Sequence, residues 1–225
     1  MIWEDECYLL SKRKFRENAN IISIFTPKKG KIDGIVYGGN SRKIRNFLQI
    51  TNKLFVSHNA KNENKIGYFK TELIKPIGPL YFNDKERTAA LISICSLLNI
   101  LLPESQPNKN IYNYFENFIN LINLKNWIFF YIFFEINIIK ELGYDTNLSQ
   151  YKSNKYIHET NKIKIDGYIY EVPNYLVTQK NPKNFSSPLI KKSLYFTRQV
   201  LQNKFFIPNN ILFPKSRIIL ENYYN

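Results

Sequence analysis

Two cysteines in 225 residues are too few for a disulfide framework. Eight glycines without a triplet repeat exclude a collagen-like chain. The two histidines, His58 and His158, have no cysteine or second histidine at zinc-ligand spacing, so no metal site is expected. A phosphate-binding loop is also missing, because Gly30-Lys31 has no glycine five positions earlier. Gly38-Gly39 fits a turn and not a dinucleotide fingerprint. The longest apolar run, 127–139, falls short of the roughly 20 residues a membrane helix needs and contains Glu135. Cys7 lies on an expected strand and Cys95 on an apolar helical stripe, where free cysteine behaves as a small hydrophobe. Neither has a histidine neighbour in sequence to activate a thiol. Glu4, Asp5 and Glu6 read as a solvated acidic terminus unlike a secretory signal, which points to a reducing cytoplasm. No catalytic set emerges, and neither an enzyme nor a cofactor is expected.

What is present is a globular composition with an uneven charge. A hydrophobic fraction of 44%, 16% aromatics and a mean hydropathy of -0.34 exclude wholesale disorder. The net charge of +14 comes from 32 Lys and Arg against 18 Asp and Glu. Residues 1–80 carry 15 basic and 7 acidic side chains, residues 81–150 carry 5 and 7, and residues 151–225 carry 12 and 4. Two basic ends therefore flank a near-neutral apolar middle. Such a balance favours a polyanion partner, and a lysine-rich solvated surface is the rival reading.

The pattern along the chain changes once. Residues 7–14, 21–26, 31–37, 54–57 and 67–75 read as five short strands, rich in β-branched and aromatic residues and broken by Gly, Pro, Asn and Lys. Five strands in under 80 residues suggest a small barrel, with the OB-fold first and an SH3-like barrel nearly indistinguishable. From Asn83, with Glu86 at capping-box spacing, the period becomes helical. Leu91, Ile94, Cys95, Leu98, Leu101 and Leu102 form one stripe, ended by Pro103. Pro107 is expected in the first turn of a second helix bearing Ile111, Phe115, Phe118 and Ile122. A third helix is expected over 126–142, with Gly143 just past its end. Asp166-Gly167 predicts a hairpin between Ile163, Ile165 and 168–172. Ser187-Pro188 predicts a cap for a helix carrying Leu194, Val200 and Leu201, and a last short helix follows Pro214 on Ile218, Ile219 and Leu220. The fold class is α+β: a barrel over 1–79 and a helical domain over 80–225, with an irregular zinc-free stretch at 144–186.

Basic residues in the barrel region cluster at three places. Lys12, Arg13, Lys14 and Arg16 end the first strand, Lys28, Lys29 and Lys31 surround the next turn, and Arg42, Lys43 and Arg45 follow Gly38-Gly39 in an expected loop. If these turns converge at one end of the barrel, they make a positive floor that holds phosphates without reading bases. Phe15, Tyr37 and Phe47 are equally suited to stacking on bases or to core packing, while Phe25 reads as core. In the C-terminal part Lys180, Lys183, Lys191, Lys192, Arg198, Lys204, Lys215 and Arg217 either extend that footprint or form solvated surface. The function class is a nucleic-acid-binding protein, with an RNA-binding barrel protein and a non-catalytic interaction scaffold as alternatives.

The run Trp3, Asp5-Glu6, Leu10-Ser11, Arg16-Glu17-Asn18, Phe25-Thr26, Gly30-Lys31, Gly34, Val36, Gly38-Gly39 and Ser41-Arg42 resembles the RecO family of bacterial recombination mediators. Leu102-Pro103-Glu104, Tyr112, Trp127, Glu135 and Leu142-Gly143-Tyr144 resemble its helical domain. The resemblance implies an N-terminal OB barrel joined to a helical domain. It also implies binding of single- and double-stranded DNA and annealing of complementary strands, including strands coated by single-strand-binding protein. Partnership with RecR, in the RecF pathway of DNA repair and recombination, is implied as well, and with it a cytoplasmic, nucleoid-associated location. Two departures stand out: Cys7 and Arg16 occupy positions where the family pattern has glycine. Many relatives also carry a four-cysteine zinc module after the third helix, whereas residues 144–186 contain no cysteine.

Overall fold

The computed structural model describes residues 2–39, 41–61, 66–144, 148–151, 159–178, 180, 182 and 185–224. Its first elements are β1 (Ile2–Lys14), β2 (Ala19–Thr26), β3 (Gly30–Tyr37), α1 (Arg42–Phe47), β4 (Lys53–Asn59) and β5 (Gly67–Lys75). The five strands close into a barrel in the order β1-β2-β3-β5-β4, an OB-like arrangement. The closing β3–β5 contact is parallel and short, Gly34 opposite Gly67 and Ile35 opposite Tyr68. β1 is longer than its apolar pattern predicts because its first half pairs with β4 and its second with β2. A register shift between Leu9 and Ser11 bends the strand between those two partners.

Alternation decides what fills the barrel. Cys7 and Leu9, Ile22 and Ile24, Val36, Leu54 and Val56, and Phe69 all point inward. At the β3–β5 closure both residues are glycine for a steric reason. A Cβ on Gly34 would enter the Phe69 ring, and one on Gly67 would enter the His58 ring. The barrel can therefore close only where neither strand carries a side chain inward.

α1 stands where the sequence suggests a loop. Ser41 caps it through Ile44 N–H at 3.4 Å, and Ile44 and Phe47 pack one turn apart against the barrel core beside the fully buried Leu48. One apolar pair is too short a period to announce a helix, which is why the pattern did not show it.

Contacts divide the chain into two compact units, one of residues 1–113 and 214–217, the other of residues 114–213 and 218–225. In the first, α2 (Lys85–Leu101) packs against β1, where the Cys95 thiol lies 3.8 Å from the Leu9 carbonyl. Its cap is Asp84 and not Asn83. The Asp84 carboxylate accepts from Arg87 N–H at 2.9 Å and also pairs with the Arg87 guanidinium, a double hold that asparagine cannot offer. α3 (Lys109–Leu121) is capped by Asn108, which accepts from Ile111 N–H at 2.9 Å, so Pro107 precedes the cap.

The second unit contains most of α3, α4 (Trp127–Glu141), β6 (Thr160–Ile165), β7 (Tyr168–Pro173), α5 (Asn174–Thr178) and α6 (Ser187–Leu201), with a π-helical turn at Gln202–Phe206. The hairpin turns on Asp166 and Gly167, both at positive φ, the I′ geometry that Asp-Gly favours. Ser186 occupies the cap position of α6, one residue ahead of the expected Ser187. α7 (Lys215–Asn222) buries Leu220 and leaves Ile218 and Ile219 exposed. The buried Glu135 carboxylate accepts from the Tyr131 hydroxyl at 2.8 Å and the Thr197 hydroxyl at 2.5 Å, the hydrogen bonding an interior carboxylate needs.

Candidate nucleic-acid interface

Register across the barrel builds one continuous outer row. Arg13 lies opposite Ile21, Ile21 opposite Ile35, and Ile35 beside Tyr68. Their sequence neighbours Ile22, Val36 and Phe69 belong to the core, so this row faces outward. Phe15 packs over Ala19, Ile21 and Ile35, and the Arg16 guanidinium sits 5.2 Å above the Phe15 ring. Beyond them Tyr37 is 58% exposed and Tyr68 41%, with ring centroids 6.3 Å apart, edge to face.

The same face is roofed at its other half. Tyr8 and Phe25 are covered by the Tyr112 ring at 5.7 and 5.4 Å. Lys31 donates from Nζ to the Asn99 carbonyl at 2.8 Å, and its own carbonyl accepts from Ser105 N–H at 2.8 Å. A Cβ at Gly30, whose φ is +73°, would collide with the Gln106 carbonyl. Among the described residues, Arg13, Tyr37 and Tyr68 on the other half are exposed, and Phe15 between them is half-buried.

The structure gathers two of the three basic groups. The chain entering α1 is tied to the β1–β2 turn by Gly38 N–H to the Asn18 carbonyl at 2.8 Å, and Ser41 N–H donates to the Gly38 carbonyl at 2.8 Å. Lys14, Arg16, Arg42 and Arg45 are exposed there. Lys12 donates from Nζ to the Leu48 carbonyl at 2.8 Å, and burial together with the Arg45 charge lowers its pKa. Lys43 lies on α1, its side chain outside the described residues.

Lys28, Lys29 and Lys31 do not join this group. They sit at the far end of β2, whose eight residues (Ala19–Thr26) carry the chain roughly 23 Å away. Successive hairpin turns in an up-and-down run fall at opposite ends, so three consecutive turns cannot all converge. Lys28 lies 3.7 Å from the Asp5 carboxylate, Lys31 is held by Asn99, and Lys29 is exposed.

Among the aromatics, Phe25 is buried as expected, Phe47 packs on the barrel core, and Phe15 covers the small outer cluster. Tyr37 alone of the four stands largely in solvent. Tyr68 and Lys70, two apart on β5 and both exposed, escaped the sequence reading. Their signal was the alternation of Gly67, Tyr68, Phe69 and Lys70, which marks Tyr68 and Lys70 as the outer parity.

Four of the eight C-terminal cations named above are paired or buried within the fold. Lys192 pairs with Glu159 at 3.3 Å, Arg198 with Glu221 at 3.0 Å and Lys204 with Asp166 at 2.6 Å. Arg217 is wholly buried. Lys180, Lys191 and Lys215 are exposed, and Lys183 and His158 lie outside the described residues.

The remaining reactive groups are committed or buried. Glu6 pairs with Lys53 at 2.9 Å. Burial first, then the Asp5 and Glu6 charges, pushes the Cys7 thiol far above its ordinary range, and burial does the same to Cys95, so both are protonated thiols. His58 stacks on Trp3 at 4.8 Å, and burial lowers its pKa. Among the described residues no group of three or more His, Cys, Asp or Glu could hold a metal, and no helix is long and apolar enough to cross a membrane. The stretch 144–186 offers no thiolate, so a four-cysteine zinc module does not fit this chain.

Family comparison agrees with this architecture. The family model for the Recombination protein O N terminal matches residues 1–77, and that for the Recombination protein O C terminal matches residues 83–215. The chain belongs to the RecO family. It is 32% identical over 152 residues to the DNA repair protein RecO of Wolbachia sp. subsp. Drosophila simulans, covering 67% of this chain and 62% of that protein. The RecO of Roseobacter denitrificans is 33% identical over 145 residues, 64% of this chain and 60% of that one. The RecO of Ehrlichia chaffeensis is 34% identical over 152 residues, again 67% and 62%. The match thus spans 60–62% of the length of these curated relatives. Against the RecO pattern, the arginine at position 16 gains a structural meaning: its φ of +62° is the left-handed region that glycine favours.

Proposed function

We propose that this chain is a non-enzymatic DNA-binding recombination mediator of DNA repair. In this reading the barrel over 1–79 binds single- and double-stranded DNA and anneals complementary strands. The chain acts with RecR and single-strand-binding protein in the RecF pathway, at the nucleoid in the cytoplasm. The observation that carries it is the meeting of Lys12, Lys14 and Arg16 with Arg42 and Arg45 at one end of the barrel, beside an open face edged by tyrosines. Cations so placed bind phosphates whatever the base sequence. Annealing needs no catalytic residue, because a positive surface that holds two strands screens their mutual repulsion.

The test replaces Arg42, Lys43 and Arg45 with alanine in the full chain and follows DNA binding across a salt series. Binding is expected to weaken alike on unrelated sequences, with the slope of log affinity against log salt shallower by about 0.7 per lost contact on single strands. Annealing should slow in parallel. Replacing Lys28 and Lys29 should leave the slope as it was. An unchanged slope in the triple variant would remove α1 from the interface.

A further inference from the structure

We propose that Tyr37 and Tyr68 form a base-stacking platform that makes the barrel face select unpaired DNA over duplex. The proposal rests on the DNA-binding reading and names the form of DNA that the same face prefers.

Three observations lead to it. First, these two rings are among the exposed large hydrophobics of the barrel, yet they lie side by side at 6.3 Å on neighbouring strands. Second, the backbone under them is fixed by the core. Tyr68 sits between Gly67, which allows no side chain against His58, and Phe69, which is buried. Tyr37 sits between the buried Val36 and Gly38, whose N–H is held by the Asn18 carbonyl. With the backbone beneath them fixed, only the two side-chain torsions of each tyrosine are left to order when a base stacks on it. Third, the platform is flanked by cations on the same outer surface. Arg13 lies three strands away in the Tyr68 row, roughly 14 Å at ordinary strand spacing, and Lys70 follows Tyr68 two positions along β5.

A single strand laid across this row can place its bases on the tyrosines while its phosphates reach Arg13 on one side and Lys70 on the other. Stacking on aromatic rings tolerates any base, because each has a π-face. In a duplex those faces are already stacked, and exposing one requires unpairing. The cations therefore attract both forms of DNA, and the tyrosines reward only one.

The alternative role for such a pair is to brace the short β3–β5 seam. The experiment that separates the two compares wild type, Tyr37→Ala, Tyr68→Ala and the corresponding phenylalanine variants of the full chain. It measures binding to oligothymidylate and to a duplex of equal length, extrapolated to high salt, with thermal midpoints alongside. Each alanine change is expected to weaken single-strand binding about tenfold, which is about 1.4 kcal/mol, and duplex binding less than twofold. The phenylalanine variants should bind like wild type. Equal losses on both DNA forms, or none, would overturn the proposal. If an alanine variant fails to fold, Tyr68→Trp supplies the readout. Its added emission should be quenched by oligothymidylate and not by duplex, and equal quenching by both would overturn the proposal. Wild type binding neither form would overturn the DNA-binding reading itself; wild type binding with an unchanged single-to-duplex ratio in the variants would overturn this inference alone.

Discussion

Arg16 shows how much a single residue can carry. The turn after β1 needs a left-handed residue, and this chain meets that need with a side chain at φ +62°. An L-residue there costs roughly 1–2 kcal/mol relative to its ordinary conformations. In return the guanidinium is set over Phe15, at the rim of the open face. Strain kept at such a position points toward function. Two variants separate conformation from charge. Arg16→Gly and Arg16→Ala both remove the cation and its ring contact, so both should weaken DNA binding alike. The glycine variant, however, should be the more stable of the two by about 1 kcal/mol, the reverse of the usual order. Thermal melts with binding curves on both proteins decide it, and an alanine variant as stable as the glycine variant would contradict the account. The charge at position 16 was legible in the sequence; the φ angle behind it was not.

At the scale of elements, the strands were the most legible part. Their β-branched and aromatic runs, broken by turn residues, fall on β1 to β5, and the Asp166-Gly167 signal falls on the β6–β7 turn. What stayed hidden was what depends on partners across the barrel. The first half of β1 is a strand because β4 lies beside it, and α1 forms because the barrel end offers Ile44 and Phe47 a surface. The opposite placement of the Lys28–Lys29 turn follows from topology, which local composition does not encode.

A second hidden element is the seam where Trp3, His58 and Phe69 meet across β1, β4 and β5. His58 lies between the Trp3 ring at 4.8 Å and the Phe69 ring at 5.3 Å, with Nδ1 buried and without a hydrogen-bond partner. Burial holds its pKa below the ordinary value near 6.5. The unfolded chain therefore takes up this proton at a higher pH than the folded one. Stability from this site is full above about pH 6.5 and declines as pH falls from there through the folded pKa. Melts between pH 7.5 and 5 should show a fall in wild type that is smaller in His58→Phe. Superimposable pH profiles for the two proteins would contradict the assignment.

For the whole molecule, the net charge of +14 resolves into two kinds of cation. In the C-terminal part Lys192, Arg198 and Lys204 are matched by Glu159, Glu221 and Asp166, and Arg217 is buried, so four of the cations there are taken up within the fold. In the barrel, Lys14, Arg16, Arg42 and Arg45 are exposed together at one end. Charge counting could not separate these two cases, because it sees neither ion pairs nor burial. In the proposed function this barrel end is a phosphate-binding surface. Its most direct test is fluorescence-anisotropy binding of the full chain to a labelled single-stranded DNA over a range of salt. The prediction is affinity that falls steeply and linearly in log salt, with a residue of binding at high salt supplied by stacking. Absence of binding at low salt, or affinity indifferent to salt, would contradict it.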